Sequence, residues 1–451
     1  MKQFINPSRL QQALAQEQTY FAQTHPTSLA LFQRAQKHLL GGVPMSWMVR
    51  WAGNAPVFVS HAKGAHFVDV DGNHYIDFCL GDTGAMAGHA PDATIAALAT
   101  QAAKGITTML PTEDAIWVGE ELSRRFNLPY WQFALTATDA NRHALRLARH
   151  ITQRPLVLVF NYCYHGTVDE TFVNLIDGKT AARPSSIGAP IHPSHTTRVV
   201  EFNDLETLAA AIKTEDVACV LAEPAMTNIG IVQPDAGFHT ALRQLTRDSG
   251  TLLILDETHT ICCGPGGYTA AHQLQPDILT IGKPLAGGMP AAAYGLSESV
   301  AQRIRASTED DGVDVSGIGG TLAGNALSIS TMRATLQQVL TQATFDHTIP
   351  LAAEWAKGVQ GVIDEFDLPW HVTQLGCRAE YWFCPTPPHN GSQAAAAIDA
   401  DLDHYMHLAA LNRGVLMTPF HNMALMAPST SHADIERHTE VFRQCVAPLM
   451  V

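Results

Sequence analysis

Between about residues 110 and 300 the chain repeats one pattern, short apolar runs separated by amphipathic helical stretches, and few architectures accommodate it. Candidate strands fall at 132–135, 156–160, 198–201, 217–223, 252–256, 278–281 and 292–295. Apolar runs bounded by turn residues read as buried strands of a sheet covered on both sides. Their alternation with helices predicts an α/β fold, a mostly parallel seven-stranded sheet sandwiched by helices.

The flanking segments follow other rules. Helical spacing over 7–40 (Leu10, Leu14, Phe21, then Leu29, Leu31, Phe32, Ala35) predicts an N-terminal helical arm. From Val57 the residues alternate, with turns at Lys63-Gly64 and Asp71-Gly72, the pattern of an antiparallel meander. A helix is expected over 92–104 and a long one over 326–343, after the glycine-rich SGIGGTLAGN. Strands at 378–383 and 415–417 among further helices complete a smaller α+β domain. The expected division is 1–75 (arm and meander, part of the small domain), 76–325 (large domain) and 326–451 (linking helix and the rest of the small domain).

Composition narrows the function. With 28 Lys+Arg against 42 Asp+Glu, the formal net charge of −14 disfavours nucleic acid and anionic membrane as partners. The eight cysteines include the adjacent Cys262 and Cys263 but no CxxC, and they are scattered through apolar segments as in a reduced, cytoplasmic protein. The opening MKQFINPSRLQQALAQEQ lacks the apolar region of a signal peptide, and no apolar run is long enough to span a bilayer.

The chemistry concentrates in TLLILDETHTICCGPGGYTAAHQLQPDILTIGKPLAGGM. One apolar run ends on Asp256 and Glu257, and the next ends on Gly282 and Lys283. Ligands of such sheets sit beyond the carboxyl ends of the strands, so an acid and an amine are delivered to one place. Pyridoxal phosphate chemistry needs that pair. A lysine amine forms a Schiff base with the cofactor aldehyde, while a carboxylate keeps the pyridine nitrogen protonated so that the ring draws electrons. A surface lysine beside a helix-capping aspartate is the plainer alternative.

Several separated motifs in order make the chain resemble the class III, fold-type I, pyridoxal-phosphate-dependent aminotransferases, in the branch around glutamate-1-semialdehyde aminomutase. They are FALTATDANRHALRLAR, YCYHGTVDE, AEPAMTNIGIV, the Asp256 and Lys283 stretch, and GGTLAGNAL. The resemblance implies that Thr136, Ala137 and Thr138, where relatives read Ser-Gly-Thr, hold the phosphate at a helix N-terminus. It implies that Tyr164, followed by His165 in the Tyr-His-Gly motif, meets the pyridine face. Asn228 would hydrogen-bond the phenolic oxygen, Asp256 would pair with the ring nitrogen, and Lys283 would carry the Schiff base and shuttle the proton. Gly320 and Thr321 would reach the phosphate of a neighbouring subunit, implying a homodimer.

For a substrate carboxylate the candidates are Arg50, flanked by Trp47 and Trp51, and Arg378. Asp82 stands where relatives have a small or aromatic residue, and either faces a substrate amine or caps a turn. Glu257 is expected to satisfy loop donors. His259 replaces an expected apolar residue and reads as structural. The implied activity is transfer of an amino group between an amine or amino acid and an oxo acid, with an intramolecular aminomutase shift as the alternative. A non-catalytic binding protein on the same fold is the rival of another class; a nicotinamide enzyme is disfavoured because no GxGxxG follows a strand.

Overall fold

In the computed structural model, which describes residues 5–184, 186–188, 191–307 and 317–450, the chain divides into two units. The first comprises 1–91, 346–387 and 397–451; the second comprises 92–345 and 388–396. Ser316, the first residue of the predicted glycine-rich loop, lies outside the described residues, as do 1–4 of the predicted arm and 451.

The first unit begins with two helices rather than one arm, Pro7–Thr24 and Pro26–Ala35. Pro26 supplies the break, since it lacks an N–H and is tolerated at a helix start. The meander follows as β1 (Val59–Lys63), β2 (His66–Asp69) and β3 (His74–Asp77), antiparallel as expected.

In the second unit the chain runs through β4 (Tyr130–Ala134), β5 (Leu156–Phe160), the hairpin β6 (Val173–Ile176) and β7 (Lys179–Ala182), then β8 (Thr197–Val200), β9 (Val217–Ala222), β10 (Leu252–Asp256), β11 (Ile278–Ile281) and β12 (Ala292–Leu296). Seven of these form one sheet in the order β4-β12-β11-β10-β9-β5-β8. Only β12 runs against its neighbours, so the other six point their carboxyl ends to one edge. β5, β9, β10, β11 and β12 are buried along their whole length, which is why they carry no polar alternation. The helix Ala137–Thr152 lays Ala140, Ala144, Leu145 and Ala148 into the core with the sheet.

The chain returns to the first unit for β13 (His371–Leu375), β14 (Arg378–Trp382), β15 (Val415–Leu416) and β16 (Met423–Leu425). β15 joins the meander beside β3, and β13-β14-β16 form a separate antiparallel sheet.

Two features depart from expectation. The helix anticipated over 326–343 ends at Gln338, and a second, Gln342–Glu365, starts after a short break. The first unit extends to residue 91, because Asp77 caps the Cys79 and Leu80 N–H groups (2.9 and 2.8 Å) and its other oxygen holds His89 Nε2 at 2.7 Å. The helix Ala326–Gln338 stays with the second unit, where Thr335 meets Thr94 (Oγ1 to Oγ1, 2.8 Å) and Arg333 pairs with Asp114.

Candidate active site

Loops leaving β4, β5, β9, β10 and β11 emerge at the shared carboxyl edge, and they carry the residues singled out above. Asp256 ends β10 and is 3% exposed. One carboxylate oxygen accepts from Asn141 Nδ2 (2.8 Å) and from His165 Nδ1 (2.9 Å); the other accepts from the Thr258 N–H (3.0 Å). Burial alone would raise this carboxyl, but the His165 hydrogen bond and charge, with the two further donors, bring it down to about 2. Burial likewise opposes charge on His165, yet the adjoining Cys163 and Asp256 raise its imidazole to about 10. Each member of the pair thus favours the charged form of the other, with side chains 4% and 0% exposed.

Two carboxylate oxygens offer about four acceptor positions. Three donors occupy three of them, which leaves room for one more N–H. That is the capacity a protonated pyridine nitrogen requires.

Lys283 follows β11, the strand registered directly beside β10 with Asp256 opposite Thr280. The approach to it is narrow. A Cβ on Gly282 would lie 3.0 Å from the Ala137 Cβ and 3.1 Å from the Ala137 nitrogen, so only glycine passes the start of the helix Ala137–Thr152 without displacement. Lys283 itself adopts φ 49°, a left-handed conformation that costs a non-glycine residue about 1–3 kcal/mol. Its Nζ lies 2.7 Å from His259 Nε2.

The turn at 136–138 has the form of an anion site. Thr136 is the N-cap and accepts from the Asp139 N–H at 3.2 Å, leaving the Ala137 and Thr138 N–H groups outside the helical ladder at its positive end. Alanine replaces glycine at 137 without strain, because the helical backbone there keeps a negative φ. Thr138 Oγ1 accepts from the Thr167 N–H at 3.0 Å, and Gly166 (φ 80°) packs so closely on Thr138 that no Cβ fits. This links the turn to Tyr164, half-buried and edge-on to Phe172. Asn228, after β9, donates Nδ2 to the Tyr162 carbonyl at 3.0 Å and ties a third loop to the same edge.

Two further acids are buried here. Glu257 accepts from the Thr260 hydroxyl and from the Tyr268 and Thr269 N–H groups, the loop-closing role expected of it; burial raises its carboxyl. Glu223, at the end of β9, is pushed up to about 7 by burial, against the pull of the His165 charge and the Thr227 hydroxyl. Its Oε1 and the His165 Nε2 have no hydrogen-bond partner among the described residues.

The structure thus brings together Thr136, Ala137, Thr138, His165, Asp256 and Lys283, with Tyr164 and Asn228 on adjoining loops. His165 lies beneath Asp256 as its counter-ion. Asn141 was missed by sequence reasoning, although it also donates to the His165 carbonyl (3.1 Å) and accepts from the Thr280 hydroxyl (2.6 Å). The signal was present, an asparagine on the apolar face of an amphipathic helix. Gly320 and Thr321 are exposed on a loop held by the Gly319 N–H on His143 Nε2 (3.2 Å) and by Arg146 on the Gly317 carbonyl.

The substrate candidates belong to the first unit. Arg50 and Trp51 line a cleft of about 530 Å³ with His404, His407 and Phe420, and Trp47 stacks edge-on against Phe420 at 5.1 Å. Asp82 lies in a left-handed run, Leu80 to Thr83, with φ of 46°, 57°, 50° and 80°. Arg378 is fully buried in β14 and donates to the Thr83 hydroxyl. Its guanidinium braces that left-handed run from inside.

Comparison with known proteins bears on the same edge. Residues 47–446 match the family described as Aminotransferase class-III. A glutamate-1-semialdehyde 2,1-aminomutase of Desulfitobacterium hafniense (strain DSM 10664 / DCB-2) is 31% identical over 425 residues, covering 93% of this chain and 97% of that one. A solved glutamate-1-semialdehyde-aminomutase from Pseudomonas aeruginosa PAO1 superposes with a TM-score of 0.97 at 47% identity, covering 99% of each chain, and one of its structures is a complex with PMP. An omega-transaminase from Sphaerobacter thermophilus superposes at 0.86 with 26% identity, covering 94% of this chain and 98% of that one.

Proposed function

This chain belongs to the class III aminotransferase family, a family of pyridoxal-phosphate-dependent enzymes of fold type I, and from that premise we propose that it moves an amino group between an amino acid or amine and an oxo acid, with Lys283 as the amine that bonds to the cofactor. The observation that carries the reading is a buried Asp256, its carboxyl lowered by His165, at the end of β10, with Lys283 just beyond the adjacent parallel strand β11 and a capped helix N-terminus beside them.

The residues fit the cofactor. The Ala137 and Thr138 N–H groups and the helix dipole would hold its phosphate, Asp256 its ring nitrogen, Tyr164 its face and Asn228 its phenolic oxygen. When bound, pyridoxal phosphate supplies an electron sink for the bonds around the substrate's α-carbon. The protein does the rest. Asp256 stays ionised because His165 neutralises it from behind, so a proton on the facing nitrogen is stabilised. The Lys283 amine, held at the strand end by Gly282, moves protons as general base and then general acid. The buried setting of Asp256 and the half-buried setting of Lys283 keep bulk water from competing for those protons.

Arg50, with Trp47 and Trp51 beside it, is the proposed carboxylate reader, and Asp82 the candidate for a second amine. The assembly proposed is a homodimer. Supporting it are the exposed Gly320 and Thr321 loop with Leu322 (51% exposed) and the exposed Met109 (73%), Leu110 (71%) and Ile116 (64%), apolar surface of the kind interfaces cover. A cytoplasmic location accords with eight cysteines that form no disulfide. Among the described residues no helix is long and apolar enough to cross a membrane.

The 47% identity to a protein described as an aminomutase favours a second reading, an amino shift within one molecule. One assay separates them. Turnover of an amino donor only when an oxo acid is added supports intermolecular transfer; isomerisation of glutamate-1-semialdehyde with no acceptor present overturns it in favour of the shift.

A further inference from the structure

We propose that His259 is the proton partner of Lys283, a positioning residue that takes the proton from the ε-ammonium and so readies the amine to attack a carbonyl carbon. The inference rests on Lys283 being the amine of the pyridoxal phosphate site. It starts from the 2.7 Å separation of Lys283 Nζ and His259 Nε2. At this separation the two nitrogens are within hydrogen-bonding distance. If the lysine were an ammonium and the histidine an imidazolium, N–H would face N–H and like charges would meet, so one nitrogen must present a lone pair to the other.

The transfer balances simply. An N–H bond breaks at Nζ and its electron pair stays there as the lone pair; the Nε2 lone pair forms the new N–H, and the single positive charge passes from lysine to histidine. Only the amine with its lone pair is a nucleophile.

The contact is built by backbone rather than by a wandering lysine. His259 stands three residues past Asp256 and directly before the turn Thr260–Cys263. That turn is anchored by Glu257, whose carboxylate receives the Thr260 hydroxyl at 2.6 Å and whose carbonyl receives the Ile261 N–H at 2.9 Å. Lys283 is launched from the neighbouring strand through Gly282 and a left-handed backbone. Each side chain has one fixed origin, and the two converge.

Two substitutions separate proton holding from mere shape. His259→Gln keeps a hydrogen-bonding side chain that cannot hold a proton at neutral pH, and His259→Phe keeps ring volume without either function. Full-length protein, stripped of cofactor, is labelled at pH 7 with a trace of an amine-reactive acylating reagent, and modification of Lys283 is followed by peptide mass spectrometry. Both variants are expected to label at least about tenfold more slowly than the parent. They should also regain the yellow colour of added pyridoxal phosphate at least about tenfold more slowly, to the same final extent. Wild-type labelling by His259→Gln overturns the proton-holding role in favour of simple hydrogen bonding, and parent-like rates in both variants overturn it altogether. Failure of the parent itself to take up pyridoxal phosphate would instead strike the proposed function, since the labelling rates read the histidine without the cofactor.

Discussion

Asp256 and Glu257 are neighbours in sequence, both buried, and each accepts three hydrogen bonds, yet their carboxyls move in opposite directions. Asp256 drops to about 2; Glu257 rises. Burial pushes both upward, and the number of donors is equal. The difference lies in one partner. Asp256 faces the imidazolium of His165, whereas Glu257 meets a hydroxyl and two backbone N–H groups. A countercharge, rather than a tally of hydrogen bonds, decides which acid keeps its charge. One region thereby becomes an electrostatic instrument and the adjoining one a loop fastener.

The largest expected effect removes the group that the instrument serves. Lys283→Ala should lower turnover by on the order of 10⁴-fold or more, while the variant still accumulates non-covalently held cofactor visible after gel filtration. Residual turnover within tenfold of the parent would mean that another amine does the work.

Asp256→Asn attacks the countercharge directly. Turnover should fall roughly 10²–10³-fold. Stability should fall as well, by about 3–5 kcal/mol in urea titration, because His165 loses the countercharge that favours its charged form and must give up its proton or stay buried without a partner charge. The pH dependence carries the same signature with a worked sign. Asp256 is lowered in the folded state, so its contribution is present above about 3.8 and is lost as pH falls through about 2. His165 is raised, so its contribution is present below about 6.5 and is lost as pH rises through about 10. In Asp256→Asn both arms of that profile should flatten.

Glu257→Gln sharpens the contrast from the other side. The substituted amide turns donors toward donors at one of its ends, costing about 1–3 kcal/mol of stability, but turnover should stay within a few fold of the parent. A drop as large as that of Asp256→Asn would erase the distinction between the two acids.

Much of this edge was legible beforehand because its strands are apolar on both faces. The limits expected at 252–256 and 278–281 coincide with β10 and β11, and Asp256 and Lys283 were found by standing at their ends. What escaped had local causes. The helix expected over 326–343 is two helices, since the apolar periodicity continues across the break. The β6–β7 hairpin went unread although Asp177-Gly178 (φ 50° and 72°) is a strong turn signal, because its strands are four residues each and carry weak alternation. Asn141 hid within an amphipathic helix whose period looked complete without it. The contact of His259 with Lys283 was not legible because the spacing of strands says nothing about which two side chains touch across them; only the 2.7 Å separation shows it. That Arg378 is buried was not legible, since nothing in LGCRAEYWF signals that all five residues of its strand are covered.

The smallest predicted effect concerns Glu223, which stands between the two cases. It has a countercharge, for the His165 charge lowers it, but burial prevails and leaves it near 7. Because its folded value exceeds the ordinary 4.5, the fold favours its protonated form, and stability is lost as pH rises from about 4.5 through about 7. Glutamine mimics the protonated acid, can still accept from the Thr227 hydroxyl, and puts an amide where Oε1 now has no partner. Glu223→Gln should therefore match the parent at pH 5 and exceed it at pH 8 by about 1–3 kcal/mol in chemical denaturation. An equal or lower stability at pH 8 would show that the attraction between Glu223 and the His165 cation outweighs burial, and that this second acid belongs with Asp256.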